Sequence, residues 1–174
     1  MVEKMKPNYP KLIFAILMSV YFLSIAYAPL NGSFLDLLDL PIHETGHLLF
    51  RPFGEFLTIA GGSLFQVLMP AIFVGYFVWN EKYYSAAIVF FWLGQSILNV
   101  FVYAQDAVVM QIVLLGGLTG SEGGFHDWNY LLTKTGLIGS TKTVAGLIRL
   151  LGTLCIITAS VFAVKLSFSK EESL

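Results

Sequence analysis

His43, Glu44 and His47 are the residues of this chain whose types and spacing point most directly to chemistry. In His43-Glu44-Thr45-Gly46-His47 the two histidines are four positions apart. A helix then carries both imidazoles on one face, one turn apart, where they reach a single ion. Glu44 points beside such an ion, as the general base of a zinc hydrolase does. Zinc in that position would bring the pKa of a bound water towards about 7, and Glu44 would pass its proton to a leaving nitrogen. Gly46 leaves room for another backbone. Two of the chain's three histidines form the motif, and it lies in an apolar run, where ionisable groups are costly and mark function by default. The spacing predicts a catalytic-type Zn2+ site with His43 and His47 as ligands and Glu44 as the catalytic base.

At least one further protein ligand is needed. Asp106 is the first candidate. It ends the apolar run 83–105, and if every intervening run crosses the membrane, it is displaced towards the same face as His43 and His47. The rival is His126-Asp127-Trp128-Asn129, which follows the glycine-rich stretch 116–124 on that face. There His126 and Asp127 are candidates to hold the metal or to support its ligands. The plainer reading of this cluster is an interfacial helix capped by Asp127 and anchored by Trp128 and Tyr130. Asp39 shares a face with both histidines, but two helical turns span about 12 Å, too far for one ion. It reads as a helix cap, with Pro41 in the first turn. Ser63, Gln66, Gln95, Ser96 and Asn99 are polar groups in apolar runs and suit interhelical hydrogen bonds. Asn99 and Gln66 could instead hold a substrate backbone or steady an oxyanion.

The elements that must position these residues are apolar. The chain has 174 residues, 56% hydrophobic and 12% charged, with a mean hydropathy of +0.75. A soluble domain carries about twice that share of charge, so the excess apolar surface is expected to face a lipid bilayer. No basic cluster suggests nucleic acid. The single cysteine, Cys155, excludes an intrachain disulfide and a cysteine-based zinc site. Apolar runs cover 12–30, 34–50, 57–79, 83–105 and 144–166, with a shorter one at 107–118. A helix needs roughly 20 residues to cross the hydrocarbon core, so the short run reads as re-entrant or interfacial. The expected fold is an all-α, polytopic transmembrane bundle of about five spans, or six if the short run also crosses, forming one domain over 1–174.

The first run has a basic start and Ala26-Tyr27-Ala28, features of a signal peptide, but Pro29 disfavours cleavage and the run is expected to stay as a first span. With five spans and the N-terminus in the cytoplasm, Lys4, Lys6, Lys11, Arg51, Lys134, Lys142 and Arg149 fall inside, against Lys82, Lys165 and Lys170 outside. That bias supports a cytoplasmic N-terminus.

At the HETGH motif the sequence resembles the site-2 protease family of intramembrane zinc metalloproteases. Gly61-Gly62-Ser63-Leu64-Phe65-Gln66 is similar to the family's small-residue segment on the next core helix. Asn99 through Asp106 is similar to the segment whose aspartate is the family's third zinc ligand, although no proline follows Asn99 and Ala107 replaces a glycine. The resemblance covers about 34–110 and is that of a distant member. It implies Asp106 as third ligand, a role for Asn99 near the substrate, and a transmembrane protein as substrate. Two other readings stand beside it. One is a zinc hydrolase of a lipid-linked or other small substrate. The other is a non-enzymatic membrane protein that binds partners, in which Glu44 would be dispensable.

Overall fold

Each helix begins and ends at punctuation that the sequence supplies. The computed structural model describes residues 5–170. Helix α1, Tyr9–Tyr27, starts where the Asn8 side chain accepts a hydrogen bond from the Lys11 amide at 3.2 Å, with Pro10 in its first turn. Helix α2, Asp36–Phe50, carries Asp36 and Asp39 in its first turn, where the helix dipole favours negative charge. Gly54, at φ 95°, turns the chain into α3, Glu55–Trp79. Helix α4 is Tyr83–Gln105, α5 is the short Asp127–Lys134, and α6 is Thr141–Lys165. Two three-residue strands, β1 Met5–Pro7 and β2 Phe168–Lys170, pair antiparallel and join the two ends of the chain.

Helix α4 lies at the centre, against α3, α6 and α1. Phe22 of α1 stacks on Phe91 of α4 at 5.1 Å between ring centroids, over a core that includes Ala15, Leu98, Ile156 and Ala159. Gly94 and Gly152 let α4 and α6 cross closely: a methyl group on Gly94 would meet the Gly152 carbonyl oxygen at 3.1 Å. The outward faces of α1 and α6 leave Leu17, Val20, Leu147 and Leu151 exposed, as lipid-facing helices do.

Four stretches are long and apolar enough to cross a membrane: α1, α3, α4 and Ile138–Lys165, which contains α6. The expected fifth span is not among them. Helix α2 has 15 residues. That is about 22 Å of helix, short of the roughly 30 Å of a hydrocarbon core. Its contacts lie along one half of the bundle, from Trp92 and Ser96 near the middle of α4 to Thr58 in the first turn of α3. The β1–β2 pairing also sets Met5–Pro7 and Phe168–Lys170 at one end of the bundle, which an odd number of crossings between them does not allow. The half-height element is therefore α2. The 107–118 run forms no helix and is an irregular loop with one isolated bridge, Val113 to Thr119.

Candidate metal centre

The site begins where α2 crosses α3 at glycine. Gly46 packs directly on the Gly61 carbonyl. One residue on, a methyl group on Gly62 would meet His43 Nε2 at 2.5 Å and His47 Cε1 at 2.7 Å. The absence of a side chain at Gly62 therefore leaves the space that both imidazoles occupy. The rings lie edge to face, 4.8 Å apart.

Each imidazole has one nitrogen committed. His43 Nδ1 is 3.1 Å from Gln66 Oε1, and His47 Nδ1 is 2.9 Å from the Thr58 carbonyl oxygen. Both partners are acceptors, so both Nδ1 atoms donate, and each neutral ring then presents an Nε2 lone pair. The Nε2 atoms point at one carboxylate oxygen, Asp127 Oδ2, at 3.0 Å from His43 and 3.2 Å from His47. Three lone-pair donors thus converge with all ligand atoms inside 4.8 Å. Ligands of a tetrahedral zinc with bonds near 2.0–2.1 Å stand about 3.3 Å apart. The donor set and its spacing fit a divalent metal, and the Nδ1 contacts are the outer partners that such ligands usually keep. Without a metal, an Nε2 proton takes the place of a lone pair: against burial, hydrogen bonds to His43 and His47 hold the Asp127 carboxyl below the ordinary 3.8, and the bond to Asp127 raises the His47 imidazole to about 9.

Asp127 reaches the histidines because α5 is clamped to its neighbours. Its amide donates to the Tyr103 hydroxyl at 3.1 Å, Trp128 Nε1 donates to Ser63 Oγ at 3.1 Å, and Asn129 Nδ2 donates to the Ala107 carbonyl at 2.8 Å. His126, not Asp127, is the N-cap, with Nδ1 accepting the Asn129 amide at 3.2 Å. His126 Nε2 donates to Asp106 Oδ2 at 3.3 Å. Burial pushes the His126 imidazole below its ordinary value, against the pull of Asp106.

The sequence-predicted residues divide accordingly. His43 and His47 meet in one group with Asp127. Asp106 stands outside it. The Asp106 carboxylate accepts the amides of Gln111 and Ile112 at 3.0 and 2.9 Å and holds His126, so the expected third ligand is instead the residue that turns the chain towards α5. Asn99 Oδ1 accepts from Gln66 Nε2 at 2.8 Å, which fixes the amide whose oxygen holds His43. Asp39 lies a turn away, bonded to Trp92 and Ser96. Two contributors were not singled out from the sequence. Tyr103 carries only the signal of a hydroxyl in an apolar run, and the Thr58 carbonyl carries none.

A cavity of about 710 Å³ opens onto the group. Glu44, Asn99 and Tyr103 line it beside the histidines, and Leu37, Leu40, Ile112 and Leu115 supply apolar wall. Among the described residues, none hydrogen-bonds the Glu44 carboxylate, which faces the cavity. The Tyr103 hydroxyl, which accepts the Asp127 amide, keeps its own proton to donate. No protein family, curated protein or solved structure matches this chain.

Proposed function

We propose that the chain is a zinc-dependent intramembrane hydrolase that cleaves peptide bonds of membrane-embedded protein substrates, a distant relative of the site-2 proteases. The observation that carries this reading is the convergence of His43 Nε2, His47 Nε2 and Asp127 Oδ2, with both Nδ1 atoms already spent, beside a cavity that Glu44 lines. His43, His47 and Asp127 would hold the metal, and Asp106 and His126 would set the position of Asp127. Zinc bound there supplies Lewis acidity, which makes water nucleophilic near neutral pH and polarises an amide carbonyl. Glu44 takes the proton of the attacking water and returns it to the leaving nitrogen. Tyr103 and the Asn99 amide, on the cavity wall, are the donors available to a developing oxyanion. The apolar wall suits an unwound segment of a transmembrane helix, whose amides are hidden until it opens. It also suits a lipid-linked amide, the second reading.

In this reading four spans carry the bundle, and α2 is a re-entrant half-helix, tolerated at membrane depth because it is packed against protein and lines a cavity. The end of the bundle that bears the β1–β2 pair carries Lys6, Lys11, Lys82, Lys165 and Lys170, against Arg51, Lys134, Lys142 and Arg149 at the other. That bias favours cytoplasmic termini and sets the metal group towards the opposite face.

The test is the zinc content of the protein purified in detergent. Near-stoichiometric zinc that is lost in His43→Ala and Asp127→Ala but kept in Glu44→Gln supports the reading. A cleavage screen of transmembrane peptides and lipid-linked amides then separates the two substrate classes. Wild-type protein that carries no zinc and cannot be loaded overturns it in favour of a non-enzymatic membrane protein.

A further inference from the structure

Among the described residues, two buried side-chain polar atoms have no hydrogen-bond partner, Asp39 Oδ2 and Gln95 Oε1. Both residues are 1% exposed, and both belong to one cluster between α2 and α4, a helical turn from the metal group. Asp39 Oδ1 accepts from Trp92 Nε1 at 3.1 Å and from Ser96 Oγ at 3.0 Å. Gln95 Nε2 donates to Asp36 Oδ1 at 2.8 Å, and the Gln95 side chain also lies within hydrogen-bonding range of Asp39. The Gln95 amide therefore bridges two carboxyl groups.

A primary amide has a donor end and an acceptor end. Its nitrogen carries two N–H donors, but here Gln95 Nε2 bonds Asp36 Oδ1 and not Asp39, and both Asp39 Oδ2 and Gln95 Oε1 are left without a donor. Rotating the amide by half a turn moves the conflict from Asp39 to Asp36, so a shared proton is needed in either orientation and only its host changes. Away from water, two facing acceptor oxygens are reconciled by a proton or a cation between them. A proton is the simpler occupant, because like carboxylates crowded in one site cannot both ionise.

We propose that Asp36, Gln95 and Asp39 form a proton-binding site, in which Asp39 Oδ2 carries one proton and donates it to Gln95 Oε1 while Asp36 keeps the single negative charge. The division follows burial. Asp36 is half-buried, lines the 710 Å³ cavity and a second one of about 230 Å³, and accepts the Ser33 amide at 2.7 Å at the start of α2. Asp39 has no such access. The α4 groups around it, Trp92, Gln95 and Ser96, carry no charge, and Asp36 is the one charged group whose field reaches it. The proton ties α2 to α4 and so holds the helix that bears His43 and His47. This site does not depend on the metal reading.

Infrared spectroscopy of the detergent-purified protein tests it. The wild type at neutral pH should show the carbonyl band of a protonated carboxylic acid. Asp39→Asn and Asp36→Asn should each lose the band and stay folded, because an asparagine in either place supplies the missing N–H without a proton. Raising the pH should remove the wild-type band and lower the melting temperature, and the fall in melting temperature should be smaller in Asp39→Asn. The wild type alone carries the first decision: no acid band at neutral pH overturns the proposal. A band that survives in both folded variants overturns it as well. So does an absent band together with a melting temperature set by sodium or potassium concentration at constant ionic strength, which would assign the site to a cation.

Discussion

Helix α2 presents two polar clusters, one turn apart, that turn different atoms inward. At His43 and His47 the Nδ1 protons are spent on Gln66 and Thr58, so the Nε2 atoms converge on the Asp127 carboxylate, where they take a proton or a metal. At Asp39 and Gln95 two acceptor oxygens are left with no donor. The first cluster opens onto a cavity of about 710 Å³, while Asp39 and Gln95 are sealed from it. Nitrogen and carboxylate donors with access to solvent suit an exchangeable ligand such as a metal. A buried oxygen acceptor that lines neither cavity, as at Asp39, suits a proton that is retained as the chain folds. Composition alone does not separate the two cases, since both are buried acids beside neutral polar groups.

The largest expected difference between the clusters is in metal content. Asp127→Ala should abolish retained zinc after dialysis, while Asp39→Asn keeps it at the wild-type level, both read by elemental analysis. Loss of zinc in both would mean that the two clusters act as one site. Within the metal cluster, Glu44→Gln should leave zinc in place and lower turnover of a cleaved substrate by about 10²–10⁴-fold, the usual range for a general base. Zinc lost along with turnover would make Glu44 a ligand rather than a base.

A smaller effect is expected one shell out. Gln66→Leu removes the acceptor for His43 Nδ1 and should weaken zinc binding by about 10–100-fold, measured by competition with a chelator. Unchanged affinity would mean that packing on Gly62, and not the Gln66 oxygen, orients the ring.

The clusters should also differ in their response to acid, because on the alkaline side both lose stability: Asp127 raises the His47 imidazole to about 9, a contribution lost as pH rises through that value. The Asp127 carboxyl is held below its ordinary 3.8 when metal-free. A depressed carboxyl adds stability that is present above the ordinary value and lost as pH falls through the folded one. A carboxyl kept protonated, as proposed for Asp39, adds stability that is full below the ordinary value and lost as pH rises through the folded one. Thermal melts of zinc-free protein across pH should show the acid-side loss shrinking in Asp127→Asn and not in Asp39→Asn. The same slope in both variants would remove the distinction.

The two histidines of the group on α2 were legible because a helix converts four-residue spacing into a shared face, whatever the tertiary context. Which acid joins them was not. Asp106 and Asp127 are both acids near one end of the bundle, and the choice between them depends on how the loop 107–126 turns. That turn is made by contacts distant in sequence: Tyr103 with the Asp127 amide, Ser63 with Trp128, and the Asp106 carboxylate with two loop amides. The expected fifth span is not among the candidate spans for a related reason. Run 34–50 is apolar enough to count, but Asp36 and Asp39 find partners on α4 at mid-height, so the helix starts halfway up. The pairing of Met5–Pro7 with Phe168–Lys170, which brings these two segments to one end of the bundle, leaves no periodic signal.

The smallest predicted effect is also the one that decides what Asp106 does. If Asp106 were a ligand, removing its charge would cost as much zinc as removing that of Asp127. If it positions Asp127 through His126, the loss should be partial. Asp106→Asn keeps an oxygen that can accept the Gln111 or Ile112 amide, and His126 still caps α5 through Nδ1, a contact typically worth about 1 kcal/mol. Zinc affinity in Asp106→Asn should therefore fall by less than in Gln66→Leu. His126→Ala, which removes both the cap and the link to Asp106, should fall further than Asp106→Asn and still short of Asp127→Ala. The order of these three, measured by one chelator competition, distinguishes a residue that bends the loop from one that touches the metal, because no ligand can be replaced at a smaller cost than the residue behind it.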